Sequence, residues 1–541
     1  MGGGGWIVNL VSLTMLVILL LFGVVGLCMA RKIRNGDSFY VMEEKAPTLF
    51  LVCGICMSYI SAVTMSSGPG VCYENGPFLL LTTAQPGAWF GMLVAILFIG
   101  RKMKAIGCYT MADYFAKRFS DNNVTCLALI IMVTVMEIYG IGQLVSIGTI
   151  LSEATGISYG GIILIFTLAI MFFCVPGGTW GIMMTDTLMF AVVLVTAFVV
   201  CPMVIYNIYP EAVQALPEAF WSVQGIHDMS AGYRISQMIL WFTFFAGSPV
   251  IITRVFPAKN DFAVLKATVI SVALIALISF LLYFTAGLMQ GVEPGIVPQE
   301  RVILQAFRKY SPLLGGLVGV GGILTAAIST ASVLFCLAGF SISRDLHGLL
   351  NQDKTENLND LKRARIAQVL AIGIGGAVAY LQPGSGFDLS IFACGIFAAS
   401  WLPTILMGLL WRRYTSTAAF YGMISGALVL TILQVLTTVQ ELVLPWDIAP
   451  YIFSMVISIL VSLTVTLREP VDPEDARRHY LIRNAQLSDL VIREAWTVPE
   501  ALPKLLKGYH RARRVIMGGV ISVAGVLLLF CILFYSFIPS S

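Results

Sequence analysis

Long apolar runs dominate the chain and are separated by short polar segments. The run from Val264 to Met289 contains no acidic residue and only Lys266 near its edge. A helix needs roughly 20 apolar residues to cross a hydrocarbon core about 30 Å thick. The pattern therefore predicts an all-α polytopic membrane protein with about fourteen transmembrane helices, at 6–30, 47–70, 78–100, 124–152, 158–176, 182–206, 234–256, 262–290, 312–343, 364–383, 388–411, 417–437, 448–467 and 515–537.

The composition agrees with a membrane protein and excludes a soluble one. Hydrophobic residues make up 58% of the 541 residues and charged residues 11%, and the mean hydropathy is +0.88. A soluble fold cannot cover that much apolar surface. The net charge of +4 gives no indication of nucleic-acid binding. We therefore expect the partners to be the lipid bilayer and a small-molecule substrate, and no obligatory protein partner is evident.

The basic residues predict the orientation. The first apolar run, Trp6 to Ala30, lacks a basic n-region and is too long for a signal peptide, so we interpret it as a membrane helix. With the N-terminus outside, the predicted inside segments hold 29 of the 33 lysines and arginines, as the positive-inside rule expects. The chain is therefore predicted to be a multi-pass protein of the cell membrane, plasma or inner, with 468–514 in the cytoplasm.

The order of the spans predicts two successive groups of five. The remaining parts would be an extra helix with an inside loop, two peripheral helices, an amphipathic cytoplasmic segment and a C-terminal helix. In chain order the predicted units are 1–46, the five-helix groups 47–206 and 234–411, then 412–467, 468–514 and 515–541.

Helix-breaking residues stand at corresponding positions of the two groups. The second span carries several hydroxyl side chains ahead of Gly68-Pro69-Gly70, and the seventh contains Gly247-Ser248-Pro249. Unpaired backbone groups in lipid are costly, so irregular backbone at this depth needs a reason. Two interrupted helices favour a 5+5 inverted repeat that binds its substrate where the helices unwind. The alternative is a pair of ordinary proline kinks.

The ninth span contains a cluster of hydroxyl side chains. Ser329 and Thr330 are adjacent, and Ser332 follows. A hard cation such as sodium is held by hydroxyl and backbone carbonyl oxygens, and an unwound neighbouring helix exposes such carbonyls. The alternative is ordinary helix packing, which also favours small residues and hydroxyls.

Two acidic residues fall inside predicted spans. Glu137 lies in the fourth span and Asp186 near the inner end of the sixth. An acid at membrane depth is a candidate for a functional role. The chain has no GxxxxGK[ST] and no HExxH, so neither ATP-driven transport by this chain alone nor metalloprotease chemistry is indicated.

Six ordered motifs within about residues 6–467 resemble the solute:sodium symporter family, which has the leucine-transporter-type fold. The resemblance implies a secondary transporter and not an enzyme. The motifs are RKIRNGDSFYV after the first span, SYISAVT…GPG…Y…G from Ser58 to Gly76, MADYFAKRF from Met111 to Phe119, PGGTW from Pro176 with Thr185-Asp186, Arg254 with Ala258-Lys259, and Ala326 to Thr330.

The resemblance also implies a sodium site between the second and ninth spans. A second ion site, present in some members, would use Asp186 and Ser332. Val333 lacks the hydroxyl that those members place there, which argues for one sodium ion per substrate. The implied ligands of the first site are the backbone carbonyls of Met57, Ile60 and Ala326 and the hydroxyls of Ser329 and Thr330.

The substrate prediction rests on the aromatic residues of the seventh span. Sugar-transporting members resemble this chain less here, since they have an Asn at Trp241 and a Tyr at Phe244. Helix N-termini at the breaks favour a carboxylate, and the segment from Ser58 most resembles the pantothenate and monocarboxylate branch. The alternative is that the aromatic residues belong to the core. The candidate substrate residues are Trp241, Phe244 and Phe245, with Thr64, Ser67, Gln85, Tyr139 and Gln143 to orient the polar end.

These observations predict a sodium-coupled symporter of a small organic carboxylate, monocarboxylate or pantothenate-like, that works by alternating access. One alternative is a sodium symporter of amino acids or other zwitterions. Another is a membrane sensor that keeps the transporter fold and signals through 468–541, although no kinase or output domain is present. A channel would differ by showing no uphill accumulation.

Overall fold

The computed structural model describes residues 3–346, 349, 358–439, 442 and 444–484, with positions 514, 518, 521 and 525. The regular structure of these residues is helical, and one isolated parallel bridge joins Ala46 to Ala258. The helices are α1 Gly3–Ala30, α2 Gly36–Val41, α3 Thr48–Tyr59, α4 Gly68–Asn75, α5 Pro77–Thr82, α6 Ala84–Val94, α7 Arg101–Ala105, α8 Met111–Arg118, α9 Asn122–Thr155, α10 Tyr159–Val195, α11 Cys201–Ala215, α12 Ala231–Gly247, α13 Pro249–Ile252, α14 Asp261–Val292, α15 Val302–Tyr310, α16 Leu313–Phe340, α17 Leu358–Tyr380, α18 Gly386–Ile396, α19 Leu402–Leu410, α20 Ser416–Val439, α21 Pro450–Arg468 and α22 Pro473–Asn484.

The described residues form at least nine helical runs that are long and apolar enough to cross a membrane, and two bent helix pairs raise the number to 11. The run Tyr159–Ala215 has 57 residues, about 85 Å at 1.5 Å per residue, which is too long for one crossing. It is broken at Gly178, where φ is 49°, between the predicted spans 158–176 and 182–206. The all-helical membrane fold is therefore confirmed.

The first thirteen predicted spans all fall mainly on helical residues; two of them, 158–176 and 182–206, share the broken run Tyr159–Ala215. The fourteenth, 515–537, lies outside the described residues, as does most of the predicted amphipathic segment 468–514. The number of fourteen spans, the 5+5 repeat and the domain boundaries therefore remain predictions.

The centre of the bundle is α16, which is buried from Gly319 to its last residue, Phe340. It packs against α9, α10 and α17. The Phe335 ring of α16 packs directly against two glycines. A Cβ added to Gly140 of α9 would lie 2.7 Å from this ring, and one added to Gly375 of α17 would lie 2.2 Å from it. Small residues of this kind let helices in a membrane approach closely. The hydroxyl cluster of the ninth span is consequently in the interior of the protein.

One end of the bundle is held by a buried arginine. Helix α8 begins with a capping box of Thr110 and Asp113 and ends at Arg118, which is fully buried. The Arg118 guanidinium donates to the carbonyls of Gly408 at 2.7 Å and Tyr414 at 3.0 Å. These bonds satisfy one carbonyl group in the last turn of α19 and one just after its end. The motif residue Arg118 thus has a structural role.

Candidate ion and solute site

The second predicted span is bent by 62° between Thr48–Tyr59 and Val63–Asn75. Ile60, directly after α3, has φ −77° and ψ 100°, so the backbone leaves the helix at this residue. Gly68-Pro69-Gly70 is helical, with Pro69 in the first turn of α4, a position where proline is tolerated because no N–H is needed there. The expectation of a break at this motif is wrong; the break precedes it.

Gly68 and Gly70 allow neighbouring segments to approach α4. A Cβ on Gly68 would lie 2.6 Å from the Tyr283 hydroxyl, and a Cβ on Gly70 would lie 2.7 Å from the Gln299 side chain. Both distances are too short for real carbon contacts. The two glycines are therefore required by packing, not by helix unwinding.

Polar side chains from other segments satisfy the backbone at the first break. The Ala62 N–H donates to Gln143 Oε1 at 2.8 Å, and Gln143 Nε2 lies 3.4 Å from Ser390 Oγ. The Thr64 hydroxyl donates to the Tyr59 carbonyl at 3.0 Å. An unpaired buried amide is costly, so Gln143 and Thr64 support the broken backbone. Both were predicted as substrate residues.

Two backbone carbonyls at the first break face α16. The Thr330 hydroxyl oxygen lies 3.5 Å from the Met57 carbonyl oxygen and 3.4 Å from that of Ile60. Calcium, a hard cation of nearly the same radius as sodium, takes oxygens at about 2.3–2.6 Å, so neighbouring ligands on such an ion are about 3.5 Å apart. The Thr330 oxygen therefore lies at the spacing of a neighbouring cation ligand from each of the two carbonyl oxygens. Ala326 is buried on the same helix.

Ser329 faces a different partner from its neighbour Thr330. Its hydroxyl donates to Asp186 Oδ1 at 2.6 Å, and Asp186 Oδ2 lies 2.7 Å from Arg254 Nη2. Ser332, predicted beside Asp186, donates instead to the Ser329 carbonyl at 2.7 Å. Ser329 therefore links the candidate cation site to a buried ion pair.

The second break lies in the seventh predicted span. Ser248 is extended, with φ −67° and ψ 121°, and the helices on either side are bent by 44°. Proline in the first turn of α13 and a glycine at the end of α12 fit this interruption, because neither favours a continuous helix. The break predicted at Gly247-Ser248-Pro249 is confirmed.

An aromatic cluster connects the two breaks. The Phe245 ring centroid lies 5.2 Å from that of Tyr59, and the Phe244 centroid lies 5.6 Å from that of Tyr139. The Trp241 and Phe245 rings stack at 6.0 Å. The structure therefore brings four of the predicted substrate residues together. The aromatic cluster comprises Tyr59, Tyr139, Trp241, Phe244, Phe245 and Phe397.

Gln85 belongs to a buried polar network at the edge of this cluster. It accepts a hydrogen bond from the Tyr59 hydroxyl and donates to the Tyr283 hydroxyl at 3.0 Å. Ser279 Oγ lies 3.3 Å from the same Tyr59 hydroxyl. Gln85 thereby fixes the orientation of Tyr59, which is in the last turn of α3.

A cavity of about 370 Å³ lies beyond the first break. Ser67 is the predicted substrate residue that lines it, and the Ser67 hydroxyl is buried without a hydrogen-bond partner among the described residues. The lining includes one acidic residue, Glu300, and one basic residue, Arg301. The lining residues are Ser67, Val145, Ser146, Thr149, Ile150, Pro298, Glu300, Arg301, Gln382, Gly384, Ser385, Gly386 and Phe387.

Glu137 is a buried acid of α9 that faces α17. Its two carboxylate oxygens are inaccessible to solvent and have no hydrogen-bond partner among the described residues. Its nearest packing neighbourhood includes Phe335 and Gly375. It is therefore not part of the candidate cation site.

The sequence interpretation missed several residues of this region. Arg254 was named in a family motif but was given no role in a site, yet it is buried and paired with Asp186. Tyr59 and Tyr283, which hold Gln85, were not selected, because an isolated tyrosine in a span gives no signal of its own. The sequence signal that could have identified Arg254 is its position shortly after the break at Gly247-Ser248-Pro249.

Comparisons with known proteins agree with this geometry. A family model described as the sodium:solute symporter family matches residues 39–426, more than half of the chain. The Escherichia coli (strain K12) sodium/pantothenate symporter is 23% identical over 79% of this chain and 89% of its own. A Staphylococcus aureus sodium/proline symporter is 22% identical over 73% of this chain and 81% of its own.

A solved structure shows the same fold. It is of a Na+-coupled sialic acid symporter in a substrate-bound outward-open state, with TM-score 0.71 and 15% sequence identity, covering 85% of this chain and 98% of that one. The chain therefore belongs to the sodium:solute symporter family: it is a multi-pass membrane transporter with sodium as coupling ion, and not an enzyme.

Proposed function

We propose that the chain imports a small organic carboxylate, monocarboxylate or pantothenate-like, together with Na+, by alternating access around the two broken helices. The observation that carries the proposal is the meeting of the two breaks at the aromatic cluster, with the Met57 and Ile60 carbonyls turned toward Thr330. Irregular backbone at membrane depth is tolerated where it lines a site or is buried in protein.

The cation site would combine five residues of two helices. Thr330 and the carbonyls of Met57 and Ile60 are already at ligand spacing, and Ala326 lies one turn before Thr330 on α16. Ser329 would complete the set through its oxygen lone pairs while its hydroxyl proton stays directed at Asp186. Sodium bound here would fix the end of α3, which carries Tyr59, and so would raise the affinity for a solute beside Tyr59. Coupling of this kind is reciprocal.

The solute would bind against the aromatic cluster. Phe244, Phe245 and Trp241 offer apolar surface for a small solute with an apolar part. The cavity of about 370 Å³ has the size of a small-molecule site and would be its entrance. The orphan hydroxyl of Ser67 would give a hydrogen bond to the polar end.

The orientation follows from the basic residues. We propose that the N-terminus is outside, that 298–301 and 382–387 line an outward-facing entrance, and that α22 lies in the cytoplasm. The observed distribution of 29 of 33 lysines and arginines supports this orientation.

A zwitterionic solute is the second candidate. The mouth of the cavity carries Glu300 beside Arg301, so charges of both signs are available to an entering molecule. One relative of similar identity is named a sodium/proline symporter. An amino acid would satisfy both charges, whereas a carboxylate would satisfy one.

The test is uptake of labelled solutes into proteoliposomes. The panel contains lactate, pyruvate, acetate, pantothenate and proline, each with an inward Na+ gradient and with the gradient collapsed. We expect uphill accumulation of one acid under the gradient alone. Accumulation of proline and of none of the acids would favour the second candidate. Uptake that only equilibrates, with or without the gradient, would contradict coupled transport.

A further inference from the structure

Asp186 is a fully buried carboxylate next to the proposed cation site. It is 0% exposed and accepts the Ser329 hydroxyl at 2.6 Å, and Ser329 directly precedes Thr330. An ionised carboxylate at membrane depth must be balanced by a cation or by neighbouring donors. If a side chain of the protein supplies that positive charge, no sodium ion is needed at Asp186.

Arg254 supplies the balancing charge. Its Nη2 lies 2.7 Å from Asp186 Oδ2, and the Arg254 residue is 4% exposed. Among the described residues, Arg254 is the salt-bridge partner of Asp186. Guanidinium remains charged under all ordinary conditions, so Asp186 is neutralised without an added ion.

The Arg254 side chain is also held from its other edge. Its Nε donates to the Ser58 hydroxyl at 2.7 Å, and Ser58 in turn donates to the Gly54 carbonyl at 2.7 Å. Its Nη1 is 3.3 Å from Met183 Sδ. The guanidinium is therefore held directly by oxygens of Asp186 and Ser58. Ser329 acts on it indirectly, because it donates to the same Asp186 carboxylate.

We propose that the Arg254 guanidinium is a built-in counter-ion that occupies a second cation position at Asp186, so that the protein binds one Na+ and not two. This inference rests on the proposed function, because it takes the Met57–Ile60–Thr330 oxygens as the first position. The group that Arg254 displaces would be a cation of sodium size, held by oxygens of Asp186, Ser329 and Ser58.

The small cavity beside Arg254 offers few oxygen ligands to an additional ion. The neighbouring cavity has a volume of only about 30 Å³ and is lined largely by apolar side chains, among them Val333, Ile182 and Leu337. Val333 contributes methyl groups and no oxygen to this lining. Shortening Arg254 to alanine would enlarge this cavity and leave the Asp186 carboxylate with hydroxyls beside it, which is a donor set for a hard cation.

The experiment counts sodium ions on the purified full-length protein, with radioactive sodium as the probe, at mildly alkaline pH and without solute. The variants are Arg254→Ala, Arg254→Lys, which keeps a tethered charge, and the double variant Asp186→Asn/Arg254→Ala, which removes both charges. Removing both members of a buried pair leaves no uncompensated charge. Gel-filtration profiles show which variants are folded.

We expect one ion in the wild type, two in Arg254→Ala, and one in both Arg254→Lys and the double variant. Two ions in the wild type, or one in folded Arg254→Ala, would overturn the inference. If Arg254→Ala does not fold, two ions in the wild type or in Arg254→Lys would still overturn it, and one in both would support it. No bound ion in the folded wild type would instead contradict the proposed cation site, so the two failures are distinguishable.

Discussion

The hydroxyl oxygen of Thr330 lies 3.4 Å from the carbonyl oxygen of Ile60. This contact exists because α3 ends at Tyr59: in a continuous helix the Ile60 carbonyl would accept the N–H four residues later. The break thus turns a backbone acceptor toward α16. The same break presents Tyr59 to Phe245 of the other broken helix. The proposed ion and solute positions are therefore adjacent along the backbone, at Ile60 and Tyr59.

Gln143→Leu should destabilise the first break. The side chain satisfies the Ala62 N–H, and leaving that buried donor unpaired costs about 1–3 kcal/mol. We expect a lower thermal midpoint and a loss of Na+-driven uptake. The measurement is thermal unfolding in detergent, followed by uptake at a temperature where the variant is folded.

The exposed Gln214 on α11 gives the matched control. Gln214→Leu makes the same chemical change away from the break and should leave both quantities unchanged. A Gln143→Leu protein with wild-type stability and uptake would show that the Ala62 hydrogen bond is not needed.

Part of this arrangement could be predicted from the sequence. The positions of the spans can be predicted from the apolar runs. The second break can be predicted from Gly247-Ser248-Pro249, because glycine and proline interrupt the helix at their own positions. The first break was placed too late, since Pro69 sits in a helical first turn and the partner of the open backbone, Gln143, comes from a distant helix. The ion pair of Asp186 with Arg254 is likewise a tertiary contact that no local pattern contains.

Trp241→Ala should weaken solute binding without changing Na+ binding. Trp241 stacks on Phe245 in the aromatic cluster, and its indole N–H bonds to Gln237 and not to the oxygens at Thr330, so only the solute should lose surface. We expect KM for the accumulated acid to rise at least about tenfold, the change that 1.4 kcal/mol produces. Sodium affinity without solute should stay within twofold, roughly 0.4 kcal/mol.

The conservative variant Trp241→Phe keeps an aromatic ring and should lie between the wild type and the alanine variant. Unchanged uptake kinetics across the panel for Trp241→Ala would assign Trp241 to the core and remove it from the solute site.

Attachment of α22 to the bundle should depend on pH through His479. Its Nε2 lies 3.1 Å from the Leu409 carbonyl oxygen. Burial, and then the positive charge of Arg118, lower the pKa of His479 below its ordinary value. The detached segment therefore binds a proton more readily than the attached one. Attachment is fully stable above about pH 6.5, the ordinary histidine value, and weakens as the pH falls below it.

Hydrogen exchange of the α22 amides, corrected for the intrinsic pH dependence of exchange, measures this effect. Protection should fall on acidification in the wild type and stay constant in His479→Gln, which cannot titrate. Equal behaviour of the two proteins would exclude His479 as the titrating group.

The most direct test of the cation site compares sodium affinity in Thr330→Ala and Thr330→Ser, measured with radioactive sodium on the purified protein. Serine keeps the hydroxyl that lies beside Met57 and Ile60, whereas alanine removes it. We predict at least about a tenfold weaker affinity for alanine, which corresponds to 1.4 kcal/mol, and near wild-type affinity for serine. Wild-type affinity in a folded Thr330→Ala protein would contradict the site between the broken helix and α16.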